Sequence, residues 1–420
     1  MKKNVLVFPC GSEIGLEVYR ALKYSKDFNL IGGSSLQDHG KFVYENYIEN
    51  IPFVDDDEFI NKINDIIKKY NIDLIIPAHD SVVLKLSQHF NEIDATVVSS
   101  NTFACEICRS KKKTYELFKD ILSTPKMYTL ENAIDFPLFL KPDVGQGAKG
   151  TKKVSNKEEL EFYVNDNKDL LILEYLPNDE YTIDCFTDFN GNLLYCEGRK
   201  RNRVSNGISV SSIAVKNKKF KELALKINDK LNMNGAWFFQ LKERASGELT
   251  LLEIAPRIAG TMEFQRGYGV NLPLLSLYNA LKIPVNILKN NYDLQMDRAL
   301  STTFKVNYDY DNVYVDLDDT LIVDGMVNYE LVGFLYKCLN RKKKIILISR
   351  HIESPEETLN KYKIYNLFDE IIHLKNKELK SLHILDKSIF IDDSHSERKD
   401  VFNNVGIPVF DVNMIDVLNG

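Results

Sequence analysis

Short apolar runs separated by amphipathic stretches fill the first hundred residues. Val5 to Phe8, Leu30 to Gly32, Leu74 to Pro77 and Thr96 to Val98 are continuous and apolar, the pattern of strands buried on both faces. Ile14 to Tyr24 and Phe59 to Tyr70 instead repeat apolar residues at helical spacing. Strands alternating with helices predict a parallel sheet covered on both sides. Gly11-Ser-Glu-Ile-Gly15 follows the first strand and opens a helix, but it lacks the third glycine of a dinucleotide fingerprint and reads as a tight turn.

Beyond residue 100 the pattern becomes mixed. The cluster Lys111-Lys-Lys113 leads into a helical stretch, Leu117 to Leu122, which Thr124-Pro125 breaks. Phe136 to Leu140 predicts a buried strand with Lys141 at its end, where Pro142 stops the ladder. Gly145, Gly147 and Gly150 follow with Lys149 among them. Backbone N–H groups in so glycine-dense a loop can approach a polyphosphate closely, and the lysines supply counter-charge; a glycine-rich hairpin turn has the same spacing. Glu158 to Tyr163 is helical, and Leu170 to Glu174 predicts a second buried strand running into Tyr175 and Leu176, an apolar link whose free backbone groups suit an adenine edge. Asp179-Glu180 and Thr182-Ile-Asp184 begin an alternating strand.

Residues 196 to 203, CEGRKRNR, place Arg199, Lys200, Arg201 and Arg203 between strands, as either a solvated basic turn or an anion site. Ala236 to Leu241 and Leu249 to Ile254 read as a hairpin around Ser246-Gly247. Gln240 and Glu253 are the polar residues in these apolar strands, and a buried carboxylate is costly unless paired or metal-bound. Magnesium takes carboxylate and phosphate oxygens together, and Arg257, just beyond Pro256, suits a phosphoryl oxygen.

Taken in order, Lys111, Lys141, the 145–150 loop, Glu174, Glu180, Gln240, Glu253 and Arg257 resemble the ATP-grasp superfamily, specifically its carbamoyl-phosphate-synthase-like ligases, over roughly residues 1 to 290. The resemblance implies a Rossmann-like domain over 1–100 and an ATP-grasp domain over 101–295. It implies that Lys111, Lys141 and the loop residues Gly145, Gly147, Lys149 and Gly150 meet ATP phosphates, and that Glu174, Tyr175 and Leu176 line the adenine. Glu180 would take the ribose, Gln240 and Glu253 would hold Mg²⁺, and Arg257 would meet the transferred phosphate. Arg199 and Arg201 would face phosphate or carboxylate. The implied chemistry is activation of a carboxylate as an acyl phosphate and its capture by an amine. One departure stands out: Ala255 occupies a position where these ligases usually carry asparagine, which puts a second magnesium in question.

A second chemical centre follows two polar stretches, Lys289 to Asp293 and Asn307 to Asp311. Val313 to Val315 delivers Asp316-Leu-Asp318-Asp319-Thr320, Ile345 to Ile348 ends at Ser349, and Ile389 to Ile391 ends at Asp392-Asp393, with Lys377 opening the helix before it. Strand ends of an open α/β sheet meet at a ligand-binding crevice, and carboxylates gathered there require a cation or a proton. This order resembles the haloacid-dehalogenase-like phosphatases over residues 311–420. The resemblance implies Asp316 as nucleophile and Asp318 as general acid and then base. It implies Ser349 and Lys377, with Lys375 second, at the phosphate, and Asp316, Asp318, Asp392 and Asp393 around Mg²⁺. Only 28 residues lie between Thr320 and Ser349, which leaves no room for a cap domain and predicts an open site. Such a site suits a bulky substrate or one shielded by the neighbouring domain.

Composition sets the remaining limits. With 420 residues, 44% of them apolar, the chain predicts two or three globular domains. Its 54 basic and 60 acidic residues are interspersed, which disfavours nucleic acid as a partner. The opening MKKNVLVFPCGSEIG has too short an apolar run for a signal peptide or a membrane span, so a cytoplasmic protein is expected. Cys10, Cys105, Cys108, Cys185, Cys196 and Cys338 are dispersed, as reduced thiols are, and Cys105 and Cys108 have no second pair to complete a zinc site. The expectation is an α/β and α+β multidomain fusion of an ATP-grasp carboxylate–amine ligase with a capless, Mg²⁺-dependent phosphatase. Its cofactors would be ATP and Mg²⁺, with Mn²⁺ as an alternative ion. Its partners would be a small carboxylate, an amine and a phosphorylated metabolite, with homo-oligomerisation compatible. Two alternatives stand beside it: an ATP-grasp kinase with a phosphatase domain, and a nucleotide-sensing regulator whose ligase site has decayed at Ala255.

Overall fold

Four apolar residues in succession, Val5 to Phe8, place β1 (Lys3–Phe8) in the middle of a sheet with cores on both faces. It is flanked by β2 (Phe28–Gly33), β3 (Asn46–Ile48), β4 (Leu74–Pro77) and β5 (Thr96–Val97), all parallel, in the order β3-β2-β1-β4-β5. Leu6 and Phe8 pack on Phe59, Ile63 and Ile67 of the helix Phe59–Tyr70, whereas Val5 and Val7 meet Val18 and Leu22 of the helix Glu13–Leu22. The edge strand β3 has no apolar run to announce it. This computed structural model describes residues 2–419 apart from 146, 148, 206, 376 and 377.

Two antiparallel sheets follow. β6 (Met127–Tyr128), β7 (Leu138–Pro142), β8 (Lys152–Val154) and β9 (Leu170–Glu174) form the first, in the order β6-β9-β7-β8, with Leu160 of the helix Lys157–Asp166 laid on Leu138, Leu140 and Val154. Pro142 is the last residue of β7, opposite Leu170, so its missing N–H falls at the strand end.

The second contains β10 (Glu180–Thr187), β11 (Leu193–Ser205), β12 (Ile208–Val215), β13 (Gly235–Glu243), β14 (Leu249–Ala255) and β15 (Gln295–Asp297), in the order β14-β13-β10-β11-β12-β15. Alternate residues Tyr181, Ile183 and Cys185 face Phe220, Ala224 and Ile227 of the helix Lys218–Leu231. By the two-residue period of a strand, their neighbours Thr182 and Asp184 face the other way. Thr182 stands opposite both Arg199 and Gln240, and Gln240 opposite Glu253, so one face of the sheet carries the polar set. The basic run 196–203 is therefore part of a 13-residue strand and not a turn between strands. Gly198 makes this possible, because a Cβ there would lie 2.3 Å from a ring carbon of Phe220.

The chain divides into two compact units, Met1–Leu300 and Ser301–Gly420. The second is built on β16 (Asn312–Val315), followed by a hairpin of β17 (Ile322–Val323) and β18 (Met326–Val327), then β19 (Lys344–Ser349), β20 (Glu370–His373), β21 (Ser388–Ile391) and β22 (Val409–Phe410). Its parallel sheet runs β20-β19-β16-β21-β22. Val313 and Val315 pack on Leu331, Phe334 and Leu335 of the helix Tyr329–Asn340, while Tyr314 faces Val401 of the helix His395–Asn404. All six cysteines are free thiols. Among the described residues no helix is long and apolar enough to cross a membrane.

Candidate functional site

In the first unit, β7 ends by burying Lys141, whose Nζ donates to the Tyr115 hydroxyl at 3.3 Å. Tyr115 in turn donates to the Leu252 carbonyl at 2.8 Å, which links the lysine to β14. Burial holds the Lys141 ammonium below its usual range, against the opposing pull of Glu253 and Glu180. Lys111 opens the helix Lys111–Phe118, and burial followed by the nearby charge of Lys141 lowers it as well. Its Nζ donates to the carbonyls of Asp143 at 3.0 Å and Gly145 at 3.4 Å. The Asp143 carboxylate accepts from Ser110 Oγ and from the Lys112 N–H at 2.7 Å, so an acid sits where the helix N-terminus favours one. In the glycine loop, Gly147 and Gly150 take φ of 61° and 73°, a region that favours glycine. Lys149 is exposed, and positions 146 and 148 lie outside the described residues.

A cavity of about 100 Å³ opens between the two antiparallel sheets, lined by Phe139, Lys141, Glu174, Tyr175, Leu176 and Glu180 among others. The expected adenine and ribose residues thus lie together, but their carboxylates are engaged. Glu174 pairs with Arg244 at 2.7 Å. Glu180 pairs with Arg201 and, at 3.4 Å, with Lys242. Arg201 also donates to the Gly207 carbonyl at 2.6 Å, so it is an ion-pair partner at the cleft and not a free anion receptor. Arg199 departs further from expectation. It is buried, with Nε and Nη2 on Asp184 at 2.8 and 3.3 Å, and Gln265 Nε2 donates to the same carboxylate at 2.8 Å.

Gln240 and Glu253 are directly opposed across β13 and β14. An amide oxygen and a carboxylate suit a hard divalent cation that draws its other ligands from phosphate and water. Ala255 packs in the apolar cluster with Phe238 and Ile258 and offers no ligand. Arg257 grips Asp80 through Nε at 2.6 Å and Nη2 at 2.9 Å, and its guanidinium lies 5.2 Å from the Phe238 ring centre. Burial would raise the Asp80 carboxyl, but Arg257 outweighs it and holds the group below the usual carboxylate range. Asp80 opens the helix Asp80–Gln88 beyond β4, so the N-terminal sheet contributes a residue that sequence reasoning missed. The sequence signal was a short one, His79-Asp80 directly after a buried strand.

In the second unit Asp316, Ser349 and Asp392 stand at the ends of three adjacent parallel strands, β16, β19 and β21. Carboxylate oxygens of Asp316, Asp392 and Asp393 lie within 4.8 Å of one another. Lys380 is buried between the first two, with Nζ 2.5 Å from Asp316 and 2.7 Å from Asp392. Burial raises the Asp316 carboxyl to about 6, with Lys380 opposing. Burial works against charge on Lys380 itself, yet the two carboxylates prevail and hold it protonated. Asp393 is fixed by Thr320, which receives its N–H at 2.9 Å and donates to its carboxylate at 3.2 Å. Three clustered carboxylates with all-oxygen donors fit Mg²⁺.

Two expectations change here. Asp318 is not in the cluster: Leu317 is fully buried and Asp319 has a φ of 53°, so the chain turns after Asp316 and leaves Asp318 exposed. Its carboxylate accepts from His351 Nδ1 at 2.9 and 3.0 Å. Lys377 lies outside the described residues and Lys375 is exposed; the lysine at the acids is Lys380, in a single turn Lys380–Leu382 where an opening helix was expected.

The family described as "ATP-grasp in the biosynthetic pathway with Ter operon" matches residues 166–300. No curated protein matches the sequence. Among solved structures, the biotin carboxylase domain of Hydrogenobacter thermophilus 2-oxoglutarate carboxylase, a dimer in complex with MgADP, ADP and bicarbonate, is 18% identical at a TM-score of 0.58, covering 69% of this chain and 72% of its own. L-amino acid ligase from Bacillus licheniformis is 18% identical at 0.56, covering 68% and 75%. N5-carboxyaminoimidazole synthetase from Staphylococcus aureus is 13% identical at 0.56, covering 68% and 79%. The chain is a mixed α/β multidomain protein with the ATP-grasp fold.

Proposed function

We propose that residues 1–300 form an ATP-dependent ligase that activates a carboxylate as an acyl phosphate and passes the acyl group to an amine, and that residues 301–420 form a phosphomonoesterase. The observation that carries the ligase reading is the gathering of Lys141, Glu174 to Leu176 and Glu180 at one cleft in an ATP-grasp fold, with Lys111 near enough to feel the charge of Lys141. The structural neighbour solved with MgADP supports ATP and Mg²⁺ as cofactors. Lys111 and Lys141 neutralise phosphate charge, and the partly desolvated state of Lys141 strengthens its attraction to an incoming anion. The substrate carboxylate attacks the terminal phosphorus and ADP leaves; the amine then attacks the acyl carbon, phosphate leaves, and the nitrogen loses a proton. Gln240 and Glu253 would hold one Mg²⁺, and Asp316, Asp392 and Asp393 another; a bound ion supplies charge neutralisation at phosphate.

The Lys380-bridged acids carry the phosphatase reading. An Asp316 oxygen attacks phosphorus and the ester oxygen leaves as the alcohol, giving an aspartyl phosphate; water then attacks phosphorus, releasing inorganic phosphate and the free Asp316 carboxylate, with Lys380 holding negative charge in place. ADP release measured with mixed pools of acids and amines, products identified by mass, tests the first reading. ADP formed without an amine-dependent product would favour the kinase alternative, and silence with every pool would favour the regulator. Hydrolysis of an aryl phosphate that disappears in Asp316→Asn tests the second.

A further inference from the structure

Asp318 is exposed, and a carboxylate on a surface normally samples several rotamers in water. Here both of its oxygens lie within 3.0 Å of one imidazole nitrogen, Nδ1 of His351. That imidazole is engaged at both ring nitrogens, and the backbone that carries it is anchored as well. Its Nε2 meets Thr358 Oγ1 at 2.8 Å, its backbone N–H donates to Ser349 Oγ at 3.2 Å, and its carbonyl meets His373 Nε2 at 2.8 Å. Exposed ion pairs contribute little to stability, so a network this complete around an exposed acid points to aim and not to holding the fold. It also ties Asp318 to Ser349, the end of the strand beside Asp316.

We propose that His351, oriented by Thr358, is a positioning residue that fixes Asp318 as the proton-transferring carboxylate of the second centre and so directs that centre toward phosphomonoesters of poor leaving groups, aliphatic alcohols above all. This rests on the phosphatase reading. In the first step the Asp316 oxygen bonds to phosphorus and the ester P–O bond breaks. Its electron pair goes to the departing oxygen, which takes the proton from the Asp318 carboxyl. In the second, the Asp318 carboxylate removes a proton from water as the water oxygen bonds to phosphorus and the bond to Asp316 breaks. A nitrophenolate leaves with little help, whereas an alkoxide cannot leave unprotonated, so the worth of a well-aimed acid rises with the basicity of the leaving group.

The test is steady-state hydrolysis by the full chain in Mg²⁺ buffer of 4-nitrophenyl phosphate, phenyl phosphate and glycerol 1-phosphate. For His351→Ala, kcat on phenyl and glycerol phosphate is expected to fall about 100-fold but on 4-nitrophenyl phosphate only about 5-fold, with KM unchanged, within the range of general acid catalysis. His351→Asn keeps a donor near the Nδ1 position and is expected to recover at least about a tenth of the lost rate, while Thr358→Val loses roughly 3- to 10-fold with the same leaving-group bias. Loss that is equal across the three substrates, or no loss, overturns the proposal, and the Asn and Val variants decide it if the Ala variant does not fold. A wild-type chain that hydrolyses none of the three, or an Asp316→Asn variant as active as wild type, sinks the phosphatase reading itself, and the two failures are thereby distinct.

Discussion

In the first unit, charged side chains are drawn from distant parts of the chain: Arg257 meets Asp80 across 177 residues and Arg244 meets Glu174 across 70. In the second, three strands of one sheet bring Asp316, Ser349 and Asp392 to neighbouring ends, and Lys380 lies 12 residues from Asp392. The charge balance differs as well. Glu174 and Glu180 at the cleft each face an arginine, whereas Lys111 and Lys141 meet only the longer-range pull of acids such as Glu253 and, among the described residues, have no carboxylate bonded to them. Asp316 and Asp392 share Lys380 while Asp393 has no cation beside it among the described residues, so three carboxylates meet one ammonium, an imbalance that a bound cation would correct. One region gathers buried lysines near a cleft and the other gathers carboxylates at strand ends.

The largest test of this contrast is independence. Asp316→Asn should reduce aryl phosphate hydrolysis at least about a thousandfold, since an amide keeps the shape and loses the nucleophile. Glu253→Gln should reduce ADP release at least about a hundredfold. Each should spare the other activity to within a few fold; loss of both in a folded Asp316→Asn protein would end the separation.

Next in size, Lys141→Met should abolish most ADP formation while leaving the fold in place, because the thioether fills the space of the buried stem and removes only the charge. Normal ADP formation by the variant would remove Lys141 from the cleft. Lys380→Met probes the opposite sign. It leaves buried carboxylates unopposed and should destabilise the second unit by about 3–5 kcal/mol, partly restored by Mg²⁺. Trp237 is the single tryptophan and lies in the first unit, so its fluorescence transition in urea should stay put while circular dichroism gains an earlier one. A shift of both transitions would mean that the two units do not unfold separately.

The smallest effect concerns pH. Burial depresses His79, with Asp80 opposing, so the folded first unit binds fewer protons there than the unfolded chain. That stability is present above the ordinary histidine pKa of about 6.5 and is lost as pH falls through and below it. The Trp237 midpoint should be lower at pH 5.5 than at pH 7.5. His79→Asn, which keeps an acceptor for the Ser81 N–H, should reduce that difference, and an unaltered difference would clear His79 of any part in it.

These contrasts explain what the sequence made legible. Asp316, Ser349 and Asp392 each follow an apolar run, so strand ends and chemistry were read from the same few letters, and the hairpin bearing Gln240 and Glu253 was visible for that reason too. Lys380 was not, because Lys375, Lys377 and Lys380 share one polar stretch and only burial tells them apart. The partners of Glu174 and Glu180 were hidden differently: Arg201 comes from β11 and Arg244 from the turn after β13, and no local pattern records which charges the fold will bring face to face. Arg199 was misplaced because a run of basic residues imitates a solvated turn, while alternation along β11 sends Arg199 inward.

Gly198 gives that inward turn a mechanical meaning. A strand is one residue thick, a partition with the helix Lys218–Leu231 pressed on one side and the Asp184–Arg199 pair on the other. At Gly198 the Phe220 ring leans where a methyl group would stand. Any side chain placed there acts as a wedge between helix and partition, and the displacement is delivered through the wall to the next residue along, Arg199. The charged face of this sheet is thus governed in part by a hydrogen atom on its back.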